Sequence, residues 1–205
     1  MSIMIAHPNT YFGQLIPDRT ELLMVLEEEA EQQGIPIVGP VVGTLLYLLA
    51  NIKGARHIVE LGTATGYSAI FMGKACRSNN GRLTTFEADP EMAPRAAHNI
   101  EKAGLDQWVR VRCEDALEGL RRLEQPVDMI FMDIEKEDYA LALPLCKENL
   151  GERGLLVADN TGFKDAHAFN RAIFQDAEWE SVNLWTFLPG HSPENDGLCI
   201  ATKRS

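Results

Sequence analysis

The sequence predicts an α/β protein: a mostly parallel seven-stranded sheet with helices on both faces and an antiparallel C-terminal hairpin. Two observations lead there. From His57 to Ala177, short apolar runs alternate with helical stretches, a rhythm that calls for a parallel sheet covered on both sides. Beyond Ala177 the rhythm stops. Trp179–Phe187 and Gly197–Lys203 both read as strands, with only the loop Leu188–Asp196 between them, so they pair antiparallel at one edge.

Asp18 is the expected N-cap of a first helix, whose stripe Leu22, Leu23, Val25 and Leu26 runs to about Gln33. Glu27, Glu28, Glu29 and Glu31 read as its solvated face. Gly34-Ile-Pro36 breaks it. A more apolar helix follows over Pro40–Asn51, with proline in its first turn and Gly54 ending it. The strands are then His57–Leu61, Arg82–Phe86, Trp108–Arg112, Val127–Met132 and Gly154–Ala158. Each is followed by a helix: Tyr67–Cys76, Pro90–Ala103, Ala116–Leu123, Tyr139–Leu150 and Ala166–Ala177.

Composition bounds the rest. The 205 residues carry 19 Lys+Arg against 30 Asp+Glu, a formal charge of −11, which argues against a chain built to grip phosphate backbones. Hydrophobic residues at 45% are enough for a core, and a chain of this size buries roughly 70% of its unfolded surface. The cysteines Cys76, Cys113, Cys146 and Cys199 are scattered, with no Cys-x-x-Cys and no zinc-finger spacing, as expected of free thiols in a reducing cytosol. Met1 to Gln14 lacks the pattern of a signal peptide. The longest run without a charged or strongly polar side chain, near Val38–Ala50 and broken only by Gly, Pro and Thr, is short of the about 20 residues a bilayer needs. The expectation is a single cytoplasmic domain over residues 1–205, with no membrane partner.

In open α/β sheets ligands sit beyond the carboxyl ends of the strands. The first such turn is Glu60-Leu-Gly62-Thr-Ala-Thr-Gly66-Tyr-Ser68. Gly62 and Gly66 allow a tight turn and close approach of a ligand, or serve packing alone. A dinucleotide turn wants Gly-x-Gly-x-x-Gly, and its second glycine position is Ala64 here, so an adenosyl ligand without a pyrophosphate fits better. Glu87 ends the second strand, 21 residues past Gly66, where a carboxylate takes ribose hydroxyls. Glu114-Asp115-Ala116 follows the third strand, at the edge of an adenine or as a helix cap.

The fourth strand ends Met132-Asp133-Ile-Glu135-Lys136 and the fifth Ala158-Asp159-Asn160. Neighbouring strands bring Asp133, Asp159 and Asn160 together. Two carboxylates and an amide oxygen suit a hard divalent cation such as Mg²⁺, although each residue alone is also a common turn former.

Together these segments resemble the cation-dependent O-methyltransferases, the group of catechol and caffeoyl-CoA O-methyltransferases. The likeness rests on Val59–Ser68, Phe86–Pro90, Asp128–Asp133 with Lys136 and Tyr139, and Val157–Asn160, with Asp196-Gly197-Leu198 like the family's last hairpin. The resemblance implies a Rossmann-like class I methyltransferase domain, with residues 1–53 as N-terminal helices covering substrate and cofactor. It implies S-adenosylmethionine as methyl donor. Glu60, Tyr67 and Ser68 would hold its methionine end, and Gly62, Thr63 and Gly66 would form the loop against it. Glu87 would take the ribose, Asp115 and Ala116 would flank the adenine, and Val38 and Asp133 would also touch the cofactor. Asp133, Asp159 and Asn160 would ligate Mg²⁺ or another divalent cation, and Lys136, with Asp133, would be catalytic.

A small catechol-like or phenolic acceptor and a homodimer are the implied partners. Two other functions are weighed. A tRNA wobble-uridine hydroxyl methyltransferase on the same fold would use a basic patch (Arg110, Arg112, Arg121, Arg122), against the charge of −11. An NAD-dependent oxidoreductase is opposed by Ala64 and the antiparallel tail.

Overall fold

A computed structural model describes residues 3–204. Helix α1 (Pro8–Phe12) buries none of its side chains. Helix α2 (Glu21–Gln33) begins two residues later than an Asp18 cap would set it. The cap is Thr20, whose extended backbone turns its hydroxyl to accept the Leu23 N–H. Left-handed Gly34 and Gly54 end α2 and α3 (Gly39–Lys53), as their sequence positions predict.

The strands are β1 (His57–Leu61), β2 (Arg82–Glu87), β3 (Val109–Cys113), β4 (Val127–Met132), β5 (Leu150–Ala158), β6 (Trp179–Phe187) and β7 (Asn195–Lys203). They form one sheet in the order β3-β2-β1-β4-β5-β7-β6, parallel from β3 to β5 and antiparallel in β7 and β6. The remaining helices are α4 (Tyr67–Ser78), α5 (Met92–Lys102), α6 (Ala116–Arg121), α7 (Tyr139–Asn149) and α8 (His167–Gln175).

Strand alternation divides the core into two halves. Ile58, Met129 and Phe131 face Leu23, Leu46, Ile70 and Ile100 of α2 to α5. Val59, Ile130 and Met132 face Leu120, Leu143 and Phe169 of α6 to α8. The predicted layering is therefore present. One boundary differs. Helix α7 ends at Asn149 and β5 starts at the next residue, because Leu150 already pairs with Val127. Gly151–Gly154 then bulge out before Leu155 resumes pairing opposite Met129. The strand is thus four residues longer than the apolar run beginning at Gly154. Among the described residues, no helix is long and apolar enough to cross a membrane.

The chain runs outward from β1 to β3, then returns to β4 on the other side of β1. A crevice opens at that reversal, beyond the carboxyl ends of the strands.

Candidate active site

The crevice holds a cavity of about 340 Å³. Its floor is the turn after β1. Gly62 has φ +91°, and a Cβ there would run into the carbonyl oxygen of Asp133, so only glycine lets this turn meet the end of β4. Gly66 also has positive φ, but its neighbour is the backbone of Ala96 in α5 and it is not part of the lining. It shapes the turn from behind.

Thr63, Tyr67 and Ser68 line the cavity, as does Val38 at the start of α3. Glu60 is fully buried behind Ser68, whose hydroxyl donates to its Oε1 at 2.5 Å. Its Oε2 has no partner. Burial, aided by the charges of Asp133 and Glu87, outweighs the hydrogen bonds from Ser68 and Thr85 and pushes the Glu60 carboxyl up to about 8. An ammonium group brought to that oxygen would favour the ionised form of the carboxyl.

Glu87 also lines the cavity, and it braces the turn. Its Oε2 accepts the N–H groups of Ala64 (2.7 Å) and Thr63 (3.3 Å), and its Oε1 that of Asp89 (3.0 Å). A carboxylate has about four lone-pair directions, so capacity remains for a further donor. Asp115 caps α6 through the Glu118 N–H and also lines the cavity beside Ala116.

The opposite wall is charged. Asp133 follows β4 and bonds through its N–H to Leu61 O; Asp159 follows β5 and bonds to Met132 O. The two carboxylates therefore come from adjacent strand ends. Burial and then the charge of Asp159 raise the Asp133 carboxyl above the ordinary range, against the pull of Lys136 and His191. Lys136 Nζ lies 3.0 Å from Asp133 Oδ1 and 3.1 Å from the Ile134 carbonyl. Asn160, held at φ +48°, turns its Nδ2 to Asp196 Oδ2 (2.7 Å) and leaves Oδ1 as its unengaged end. Tyr139 is buried beneath, its hydroxyl 3.0 Å from the Asp159 carbonyl and 3.2 Å from that of Met132.

Among the described residues, no three His, Cys, Asp or Glu side chains form a metal-binding group. The candidate set is two carboxylates and one amide oxygen. Those hard oxygen donors, one acid buried and the other partly exposed, fit a hard divalent cation.

The sequence profile of O-methyltransferases matches residues 17–177. The chain belongs to the O-methyltransferase family. A catechol O-methyltransferase of Niastella koreensis is 36% identical over 156 residues, 73% of this chain and 70% of that protein. One from Mycobacterium tuberculosis is 32% identical over 119 residues, 58% of this chain, and the match spans only 54% of the relative. An O-methyltransferase of Bacillus cereus solved in complex with SAH superposes with a TM-score of 0.85 at 26% identity, covering 96% of this chain and 97% of that one. The oxidoreductase alternative falls with this assignment.

In this O-methyltransferase two residues near the charged wall, His191 and Ser192, escape a reading by motif, and a third, Asp196, is marked by its hairpin motif without a role. His191 and Ser192 lie in the loop between β6 and β7, which in sequence is only a separator between strands, and Asp196 lies at the start of β7, which begins two residues before the predicted Gly197. Ser192 lines the cavity. Asp196 is buried and accepts from Gly162 and Gly197 N–H as well as Asn160. A histidine and an aspartate bracketing a strand-to-strand loop were the available signal.

Proposed function

We propose that this enzyme transfers a methyl group from S-adenosylmethionine to a hydroxyl of a small catechol-like or phenolic acceptor, aided by Mg²⁺ or another divalent cation. One observation carries the reading. The glycine turn with Glu87 and Asp115, and the cluster of Asp133, Asp159, Asn160 and Lys136, line the same cavity. A methyl donor on the first set and an acceptor on the second would be neighbours.

In this reading Glu60, Tyr67 and Ser68 hold the methionine end of the donor, with Glu60 ionised against its ammonium. Gly62, Thr63 and Gly66 form the turn that lets it approach, while Val38 packs against it. Glu87 accepts from the ribose hydroxyls, and Asp115 and Ala116 border the adenine. Asp133, Asp159 and Asn160 Oδ1 would hold the cation. When bound, the cation supplies Lewis acidity that favours an ionised acceptor oxygen and orients two vicinal oxygens. A phenol has a pKa near ~10, so its proton must be drawn off near neutral pH. Lys136, in its neutral form, accepts that proton at Nζ. The acceptor oxygen then forms its bond to the methyl carbon as the carbon–sulfur bond breaks, leaving S-adenosylhomocysteine. Positioning by the cavity walls supplies much of the rate.

Three of the four arginines that an RNA acceptor would use support the small-molecule reading. Arg112, Arg121 and Arg122 are paired with Glu114 and Glu118. The test is methyl transfer from labelled S-adenosylmethionine to a catechol panel with and without EDTA. Activity should vanish in EDTA, return with Mg²⁺, and be lost in Asp133→Ala. Undiminished turnover in EDTA would overturn the cation's role.

A further inference from the structure

The β6–β7 loop sends one buried ring toward the charged wall. His191 is 4% exposed and Asp159 1% exposed, and the imidazole Nε2 lies 2.9 Å and 3.0 Å from the two carboxylate oxygens of Asp159. The ring's other nitrogen, Nδ1, faces the Pro193 carbonyl at 2.6 Å. A carbonyl and a carboxylate both only accept, so each ring nitrogen donates to its partner and the ring is pinned at both ends. Asp159 lines the cavity, while His191 does not. The imidazole therefore holds the carboxylate from within the wall.

From this we infer that His191 is the positioning residue for Asp159, fixing the carboxylate in the orientation in which it receives the divalent cation. The inference rests on the cation reading above. Its physical basis is that a free carboxylate rotates about its terminal torsion, whereas one gripped through both oxygens does not. Each oxygen keeps a further lone pair for the cation. The same loop serves the neighbouring donor: Asp196, at its end, holds the Asn160 amide nitrogen and so presents the amide oxygen. Partners of this kind, one shell behind a metal, commonly change its affinity 10–100-fold. No conserved-motif logic finds His191, because its partner lies 32 residues earlier in the chain.

The test is titration of the full-length protein with Mn²⁺, followed by electron paramagnetic resonance, with S-adenosylhomocysteine affinity measured in parallel by calorimetry. In His191→Ala, Mn²⁺ affinity should fall about 10–100-fold and the bound-Mn²⁺ spectrum should change, while S-adenosylhomocysteine affinity holds. His191→Gln, which keeps a side-chain N–H donor, should recover part of the loss, and it replaces the alanine variant if that fails to fold. Unchanged Mn²⁺ affinity in both variants would overturn the inference, as would tighter binding, which would mean that the ring competes with the cation. If the unmodified protein binds no Mn²⁺, the cation reading falls as well, so the two failures are distinguishable.

Discussion

A carboxyl group sealed from water with one oxygen unpartnered keeps its proton, and Glu60 does so up to a pH of about 8. In the unfolded chain the same group ionises near 4.5. Between those two values the folded state binds more protons than the unfolded state, so the Glu60 contribution weakens folding as pH rises from about 4.5 to about 8, then levels off. Urea denaturation of cofactor-free protein at pH 5.5 and pH 8 should therefore show Glu60→Gln gaining stability relative to the parent at the higher pH. The gain per pH unit is at most about tenfold in the folding equilibrium. An equal effect at both pH values would show that Glu60 is already ionised. The acids of α2 carry a related lesson. Sequence alone assigns Glu27 to a solvated face, yet its Oε1 accepts from the Tyr67 hydroxyl at 2.5 Å and it pairs with Arg19. Helical periodicity reports which face is apolar; it cannot report that a tyrosine 40 residues later will reach across.

Elements end where local chemistry ends them, and two ends here are decided by single residues. Thr20, rather than Asp18, satisfies an orphan N–H of the first turn of α2. Thr20→Ala should cost about 1 kcal/mol in chemical denaturation, and Asp18→Ala much less. Gly62 stands where β1 turns toward α4 and where Asp133 leaves β4. Gly62→Ala should lose roughly 1–3 kcal/mol from its backbone conformation alone, with the clash against Asp133 added. S-adenosylhomocysteine affinity should fall with it, since the turn and the end of β4 are displaced together. A variant with parental stability and affinity would refute that coupling. The glycines of these turns were legible because a positive-φ requirement leaves a mark on the sequence. The start of β5 was not, since Leu150-Gly-Glu-Arg-Gly154 has no apolar pattern and joins the sheet only because Val127 offers Leu150 a partner.

On the scale of the whole molecule, the alternating rhythm of strands and helices was enough to foresee the sheet, its helices on both faces and its reversed last pair. The cavity was half legible. Residues directly after β1, β2, β3, β4 and β5 could be named because each ends an apolar run. His191 could not, nor could the contact of Asp196 with Asn160, because both depend on how the chain folds back over the sheet, a tertiary outcome without periodicity. The strand order has a consequence for how such an enzyme changes. Apart from Val38 and Asp133, everything proposed to grip the donor hangs from β1, β2 and β3, on one side of the reversal. Most of what is proposed to face the acceptor hangs from β4, β5 and the closing hairpin, on the other. A lineage can therefore rewrite the hairpin loop, and with it the compound that is methylated, while inheriting the donor half intact.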